Sequence, residues 1–402
     1  MHGIKEIILQ KSSSLKNEVI RLRRHFHINP ELSFGETGTA SFTGGYLHDN
    51  NISFRDGIAG TGIIGRIDGV SKGSMTIAIR AEMDALPVQE SNKTSYISNK
   101  SNVMHACGHD AHMAMLLGAA RIMNEMRDQF SGTILFIFQP GEEKSPGGAR
   151  LMIESGELTN PKPDIIIAQH VLPELETGMT GYKPGRYMAS CDEIYITVAG
   201  TGGHAALPGL TTDQILIASH LVIRLKETIS KKAYESNIPT VFGIGKITGE
   251  GATNIIPGKV EIAGTFRTFD ENWRKESQEL IKSVCDKTAS EFGVNIILNI
   301  AEGYPVLIND ERLTKKAIAL SSDLLGKNHV EIFTETRMSS DDFSFYSELA
   351  PSLYFRIGIK KRGTEMKKLH SSDFDIDEEG LETGVSNLCW LVLNLLSKDF
   401  KE

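Results

Sequence analysis

Between residues 192 and 300 the chain spells an order of elements that few folds accommodate: strand, helix, strand, strand, helix, strand. The segments 192–199, 240–247, 259–269 and 294–300 are rich in β-branched and aromatic residues, and 213–229 and 273–292 carry apolar residues at helical spacing. That order within roughly a hundred residues is the ferredoxin-like split β-α-β-β-α-β unit, which makes a compact domain. A different rhythm surrounds it. Apolar runs at 75–79, 133–138 and 164–168 read as buried strands, with helical stretches between or after them, notably 111–126, where Met115, Leu116, Ala119, Ile122, Met123 and Met126 share a face. A start helix over 15–28 is stopped by Asn29-Pro30, and after Tyr304-Pro305 helix and strand alternate again, with a strand at 353–357. Strands alternating with amphipathic helices imply an α/β layer on a mainly parallel sheet. The expected fold is therefore a mainly parallel-sheet α/β domain over 1–188 and 304–402, interrupted by an inserted ferredoxin-like α+β domain over 189–303. A chain of 402 residues exceeds the size at which single cores stop growing, in keeping with two domains.

Composition excludes several function classes. With 40% hydrophobic and 23% charged residues and a formal charge of -8, the chain is no disordered segment and offers no basic stripe to nucleic acid. Lys5, Glu6 and Lys11 break up the first apolar residues, and no later run approaches the ~20 apolar residues of a membrane span, so no membrane partner and a cytoplasmic location are expected. The four cysteines, Cys107, Cys191, Cys285 and Cys389, are scattered as reduced thiols are.

Cys107 stands apart because of its company. Met104-His105-Ala106-Cys107-Gly108-His109-Asp110-Ala111-His112 packs three imidazoles, a thiol and a carboxylate into nine positions. Thiolate and neutral imidazole are good donors to borderline-soft divalent metals, and the glycine between Cys107 and His109 permits the sharp turn that lets both converge. Phe138-Gln139-Pro140-Gly141-Glu142-Glu143 sets two adjacent carboxylates where the 133–138 strand should end. Open α/β sheets bind ligands at the carboxyl ends of their strands, so one carboxylate can hold metal while the other moves a water's proton. Ala168-Gln169-His170 and Ala81-Glu82-Met83-Asp84 follow two further strands, and His370 lies in a loop beyond 353–357. Singly, each piece also fits a capping group, a solvated acidic turn or a structural histidine. Their joint occurrence at strand ends points to a metal site.

These stretches, with Arg23-Arg24-His25-Phe26-His27-Ile28-Asn29-Pro30-Glu31, Arg80-Ala81-Glu82-Met83-Asp84-Ala85-Leu86-Pro87, Gly202-Gly203-His204, Asn254-Ile255-Ile256-Pro257 and Asp341-Asp342-Phe343-Ser344, resemble the aminoacylase and carboxypeptidase type of two-metal hydrolases. The resemblance covers nearly the whole chain. It is to the amidohydrolase branch, with N-acyl-amino-acid amidohydrolases, hippurate hydrolases and plant indoleacetyl-amino-acid hydrolases. It implies two divalent ions per subunit, bound by Cys107, His109, Glu143, His170 and His370, with Glu142 as general base and acid and Asp84 orienting a ligand. It also implies that the inserted domain is a lid that makes a homodimer, with His204 reaching the partner's site to stabilise the oxyanion and Asn254 and Arg267 meeting the substrate. Thiolate softness favours zinc, this branch often works with manganese, and cobalt and nickel are open as well. The chain departs from the family at Glu82, where Asp is common, at Ser339-Ser340-Asp341-Asp342-Phe343, where Gly-Gly-Glu-Asp-Phe is common, and at Gly141, where Ala is usual.

The expected activity is cleavage of the amide bond of a small N-acyl amino acid by an activated water. A dipeptidase or carboxypeptidase, and a relative that binds without turnover, are the alternatives. Cys107 as a covalent nucleophile, with His109 or His112 as base, would leave the five donors and the glutamate pair unexplained.

Overall fold

The computed structural model describes residues 2–396. They divide into two compact units, one made of the residues up to Gly185, Ile308–Glu335 and those from Asp342 onward, the other of Arg186–Leu307 and Thr336–Asp341.

The first unit begins with helices α1 (His2–Ile28) and α2 (Thr37–Asp49), followed by strands β1 (Ser53–Ile58), β2 (Gly62–Asp68) and β3 (Ser71–Glu82), helix α3 (His109–Glu125), and strands β4 (Ser131–Gln139), β5 (Ile165–Glu176) and β6 (Thr180–Tyr182). With Val330–Ile332 and Ser352–Lys360 these strands form one eight-stranded sheet in the order β1, β2, β4, β3, β5, 352–360, β6, 330–332. The central four, β4, β3, β5 and Ser352–Lys360, run parallel, and β1 and β2 add an antiparallel edge. Central parallel strands are covered on both faces and therefore read as continuous apolar runs, as Ile165-Ile166-Ile167-Ala168 does.

Three elements differ from their sequence expectation. Helix α1 starts near the N-terminus instead of at 15, its charged residues Lys5, Glu6 and Lys11 lying on a helix whose apolar residues Ile8, Leu15 and Val19 are buried. Helix α3 is buried on every side from His109 to Ala120, because α1, the C-terminal helix Gly380–Leu395 and β3 all pack against it. Strand β5 does not stop at 168. It stays paired with Ser352–Lys360 in one register as far as the Leu172–Gly358 pair and, after a shift, to the Glu176–Lys360 pair, so His170 lies inside the strand and not beyond it.

The second unit holds strands Asp192–Ala199, Thr240–Thr248, Lys259–Thr268 and Asn295–Glu302 with helices Gln214–Ser236 and Glu271–Phe292, in the order the spacing predicts. The strands form one antiparallel sheet, ordered 240–248, 259–268, 192–199, 295–302. Strand 192–199 buries alternate residues, and Ile194, Ile196 and Val198 pack with Leu221, Leu225, Trp273 and Ile281 of the two helices. Asp213 and Asp270 cap those helices, their side chains accepting the first free backbone N–H groups. Among the described residues no helix is long and apolar enough to cross a membrane.

Candidate metal centre

Gly108 makes the first part of the site possible. It stands at the N-cap of α3 with φ 88°, and a Cβ there would collide with Val171, so only glycine closes the turn that sends Cys107 and His109 to the same place. The Nδ1–H of His109 donates to the Asp84 carbonyl at 2.8 Å, and that of His170 to the Val171 carbonyl at 2.7 Å. A carbonyl only accepts, so both rings carry a proton on Nδ1 and turn Nε2 inward. His370 sits in a left-handed backbone conformation, φ 62°, held by its own N–H on the Ala106 carbonyl at 2.8 Å. Such a conformation in a non-glycine residue is uncommon and concentrates at functional sites.

Strand β4 ends at Gln139, and the turn after it presents Glu142 and Glu143. Asp84 fixes that turn: its Oδ1 accepts the Glu142 N–H at 3.0 Å, and its Oδ2 accepts the Glu143 N–H at 2.9 Å and the Ser33 hydroxyl at 2.7 Å. With its oxygens so used, Asp84 orients neighbours and has little left for an ion. The Cys107 Sγ lies 3.5 Å from His170 Nε2 and 3.4 Å from His370 Nε2, which is in turn 3.4 Å from Glu143 Oε1. The donor atoms of Cys107, Glu143 and His370 are within 4.8 Å of one another, as are those of His109, Glu142 and Glu143. The five predicted ligands and Glu142 thus come together from a helix N-terminus, two strands or their ends, and one loop.

The unsatisfied atoms say what this arrangement fits. His109 Nε2 and Glu143 Oε1 are buried and have no hydrogen-bond partner, a costly state for a polar atom unless a ligand completes it. Burial, with Glu143 nearby, pushes the Cys107 thiol up to about 12, and burial, with His112 nearby, holds His170 well below the ordinary imidazole range. A neutral imidazole at His170, two further imidazoles, a carboxylate and a thiol that needs a cation to ionise make a donor set suited to divalent metal.

Other residues of the sequence cluster are already committed. His112 donates from Nδ1 to Glu82 Oε2 at 2.9 Å and accepts the Val171 N–H on Nε2 at 3.0 Å, which leaves it no lone pair for metal and no free site as a base. Glu82 is clasped between His112 and Arg80, and Arg80 also reaches Gln139 and Asp342. His105 is buried with both ring nitrogens unpartnered, and burial takes it down to about 3. The backing network of Arg80, Gln139 and Asp342 could not be read from the sequence, since its members are far apart along the chain.

Comparison with known proteins decides the family. The model of peptidase family M20/M25/M40 matches residues 78–394. The chain belongs to this family. It is 35% identical over 390 residues to an IAA-amino acid hydrolase of Arabidopsis thaliana, covering 95% of this chain and 86% of that one. It is 38% identical over 305 residues to an N-acyl-L-amino acid amidohydrolase of Geobacillus stearothermophilus, covering 76% and 81%. Among solved structures, the YXEP protein of Bacillus subtilis, a dinuclear metal-binding peptidase of the M20 family, matches with a TM-score of 0.81 at 31% identity, covering 96% of this chain and 99% of that one. The protein is accordingly a metal-dependent hydrolase of amide bonds.

In this M20 chain the remaining predicted residues lie in the second unit. His204 is exposed on a short strand paired with Ile255–Ile256, its Nδ1 accepting the Ala206 N–H at 3.1 Å so that Nε2 is left open. Asn254, also exposed, is brought beside it, its carbonyl accepting the Ala205 N–H at 3.0 Å. Arg267 is half-buried, and its Nη1 donates to the Met338 carbonyl at 2.9 Å and lies 3.4 Å from Ser340 Oγ. It therefore holds the loop in which the family's glycines are replaced.

Proposed function

We propose that this M20 hydrolase cleaves the amide bond of N-acyl amino acids, with two divalent ions held by Cys107, His109, Glu143, His170 and His370 and with Glu142 as the proton shuttle. The observation that carries the reading is the pair of buried, unpartnered donors His109 Nε2 and Glu143 Oε1 grouped with the Glu142 carboxylate. When bound, the ions supply Lewis acidity at the scissile carbonyl and lower the pKa of water. Glu142 accepts the proton of the attacking water and delivers it to the nitrogen of the departing amine, so the products are a carboxylate and an amino acid. Asp84 keeps Glu142 and Glu143 in place through their backbone N–H groups. The relatives named for N-acyl and indoleacetyl amino acids support this substrate class.

The second unit acts as lid and dimerisation domain in this reading, with boundaries near 188 and 304. His204, from the partner subunit, stabilises the oxyanion with its open Nε2. Asn254 and Arg267 meet the substrate's carboxylate or carbonyl. Exposed Ile215, Leu216 and Ile223 on helix Gln214–Ser236 supply part of the apolar dimer face. Free thiols at all four cysteines agree with a cytoplasmic location.

The test is metal analysis of the purified protein, then release of amino acid from a panel of acetyl, benzoyl and indoleacetyl amino acids and unblocked dipeptides, with manganese, zinc, cobalt and nickel restored in turn. The reading expects acyl amino acids to be cleaved faster than dipeptides. A preference for unblocked dipeptides would move the assignment to a dipeptidase.

A further inference from the structure

The loop from Pro30 to Glu36, between α1 and α2, carries none of the groups assigned above, yet three of its residues bear on the turn that presents Glu142. Glu36 is fully buried. It occupies the N-cap position of α2 but makes no capping bond with its side chain, although that is the usual reason for an acidic residue at a helix start. Its Oε1 instead accepts the Gly141 N–H at 2.8 Å and the Phe34 N–H at 2.9 Å, and its Oε2 accepts the Thr61 hydroxyl at 2.8 Å. Together with Asp84 it takes up three successive amides of the turn: Gly141 by Glu36, then Glu142 and Glu143 by Asp84.

The backbone on both sides of this contact is unusual. Phe34 has φ 65°, rare for an aromatic residue, and Gly141 has φ 59°. A Cβ on Gly141 would collide with the Phe34 ring, so the glycine that departs from the family's usual alanine is what lets the ring close on the turn. Among the described residues no cation pairs with Glu36, and burial raises its carboxyl. A buried carboxylate without an ion pair costs stability, so its place is better explained by what it holds than by what it adds to the core.

We infer that Glu36 is a positioning residue for the hydrolysis, fixing the Gly141 end of the turn so that the Glu142 carboxylate stays where it must move a proton. The inference rests on Glu142 being the proton shuttle. Ser33, by donating to Asp84, and Phe34, by packing on Gly141, extend the same support.

The experiment compares Glu36→Ala, Glu36→Gln, Glu142→Gln and the double variant Glu36→Ala/Glu142→Gln, using the best-cleaved compound of the panel above and measuring kcat, KM, bound metal and thermal midpoint. If Glu36→Ala does not fold, Glu36→Met, which fills the volume without an acceptor, replaces it. Glu36→Ala is expected to keep its metal and its KM while kcat falls about tenfold or more, the usual scale for removing a group that supports a site. Glu36→Gln should recover most of the loss, since its amide oxygen accepts the same N–H groups and its NH2 can donate to Thr61. The double variant should be no slower than Glu142→Gln, because residues acting through one group are not additive. A Glu36→Gln variant as slow as Glu36→Ala, an equal further loss in the double variant, or a loss that follows missing metal or unfolded protein would overturn the inference. Loss of turnover in Glu142→Gln beside an unchanged Glu36→Ala sinks this inference alone, whereas full turnover in Glu142→Gln removes the shuttle reading and this inference with it.

Discussion

Burial pushes the thiols of both Cys107 and Cys285 up to about 12, so neither is a thiolate by virtue of the polypeptide around it, and their neighbours separate them. Cys107 has His170 and His370 within 3.5 Å, whereas Cys285 lies in the apolar core of the second unit and Cys389 in that of the first. Cys107→Ala is therefore predicted to lose bound metal and activity together. Cys191→Ala, Cys285→Ala and Cys389→Ala should keep both, the two core variants giving up only about 1 kcal/mol of stability for the lost volume. Metal analysis and unfolding curves of the four variants check this, and a Cys107→Ala protein that still holds two tight ions would remove the thiol from the ligand set. Chemistry of this kind was legible at residue scale because a thiol, three imidazoles and two carboxylates stand in short clusters next to apolar, strand-like or helical runs. It was not legible that His112 is used up, since its partner is the backbone N–H of Val171, a group every residue but proline carries.

Between elements, α1 and α3 are joined by a buried ion cluster that bears on the N-terminus of α3. Arg23 Nε donates to Asp110 Oδ2 at 2.8 Å and its Nη2 to Asp375 Oδ1 at 2.9 Å, while His27 donates from Nδ1 to Asp110 at 2.7 Å and from Nε2 to Glu90 at 3.2 Å. Removing one member of a buried pair strands the other charge, so Arg23→Met is predicted to cost about 3–5 kcal/mol in denaturant unfolding. A loss below about 1 kcal/mol would mean that Asp110 is held by other means. His27 adds a pH dependence: burial opposes its charge, but Asp110 and Glu90 outweigh that and raise it above the usual imidazole value. Its contribution is full below the unfolded value of about 6.5 and is lost as pH rises through the higher folded one. The stability difference between the native protein and His27→Gln should shrink from pH 6 towards pH 9, and a constant difference would contradict it. This cluster accounts for Arg23 and His27 of the Arg23 to Glu31 stretch, residues visible in the sequence whose partners at Glu90, Asp110 and Asp375 were not. Element order was legible from spacing, as in the split unit of the second domain. Strand ends were not, because β5 continues past polar Gln169 and His170 on hydrogen bonds to Ser352–Lys360.

At the scale of the whole molecule, the groups proposed for chemistry divide between the two units: Glu142 and the five ligands in the first, His204 in the second. If His204 serves the partner subunit's site, mixing His204→Ala with Glu142→Gln under subunit exchange should restore about half the sites of each mixed dimer, since one site then pairs an intact Glu142 with an intact His204. Differently tagged chains would show that mixed dimers form, and their inactivity would place His204 in its own subunit's site or outside the reaction. Two divalent ions and Glu142 divide the proposed hydrolysis between them, and one titration separates their parts. Metal-stripped protein and metal-stripped Glu142→Gln are loaded stepwise with manganese or zinc, while bound ions per chain and amino acid released are followed together. The native chain is expected to gain turnover as it fills to two ions, and Glu142→Gln to fill to the same two ions with turnover at least about a hundredfold lower. Full turnover in the stripped protein, or in the loaded Glu142→Gln variant, would contradict this division.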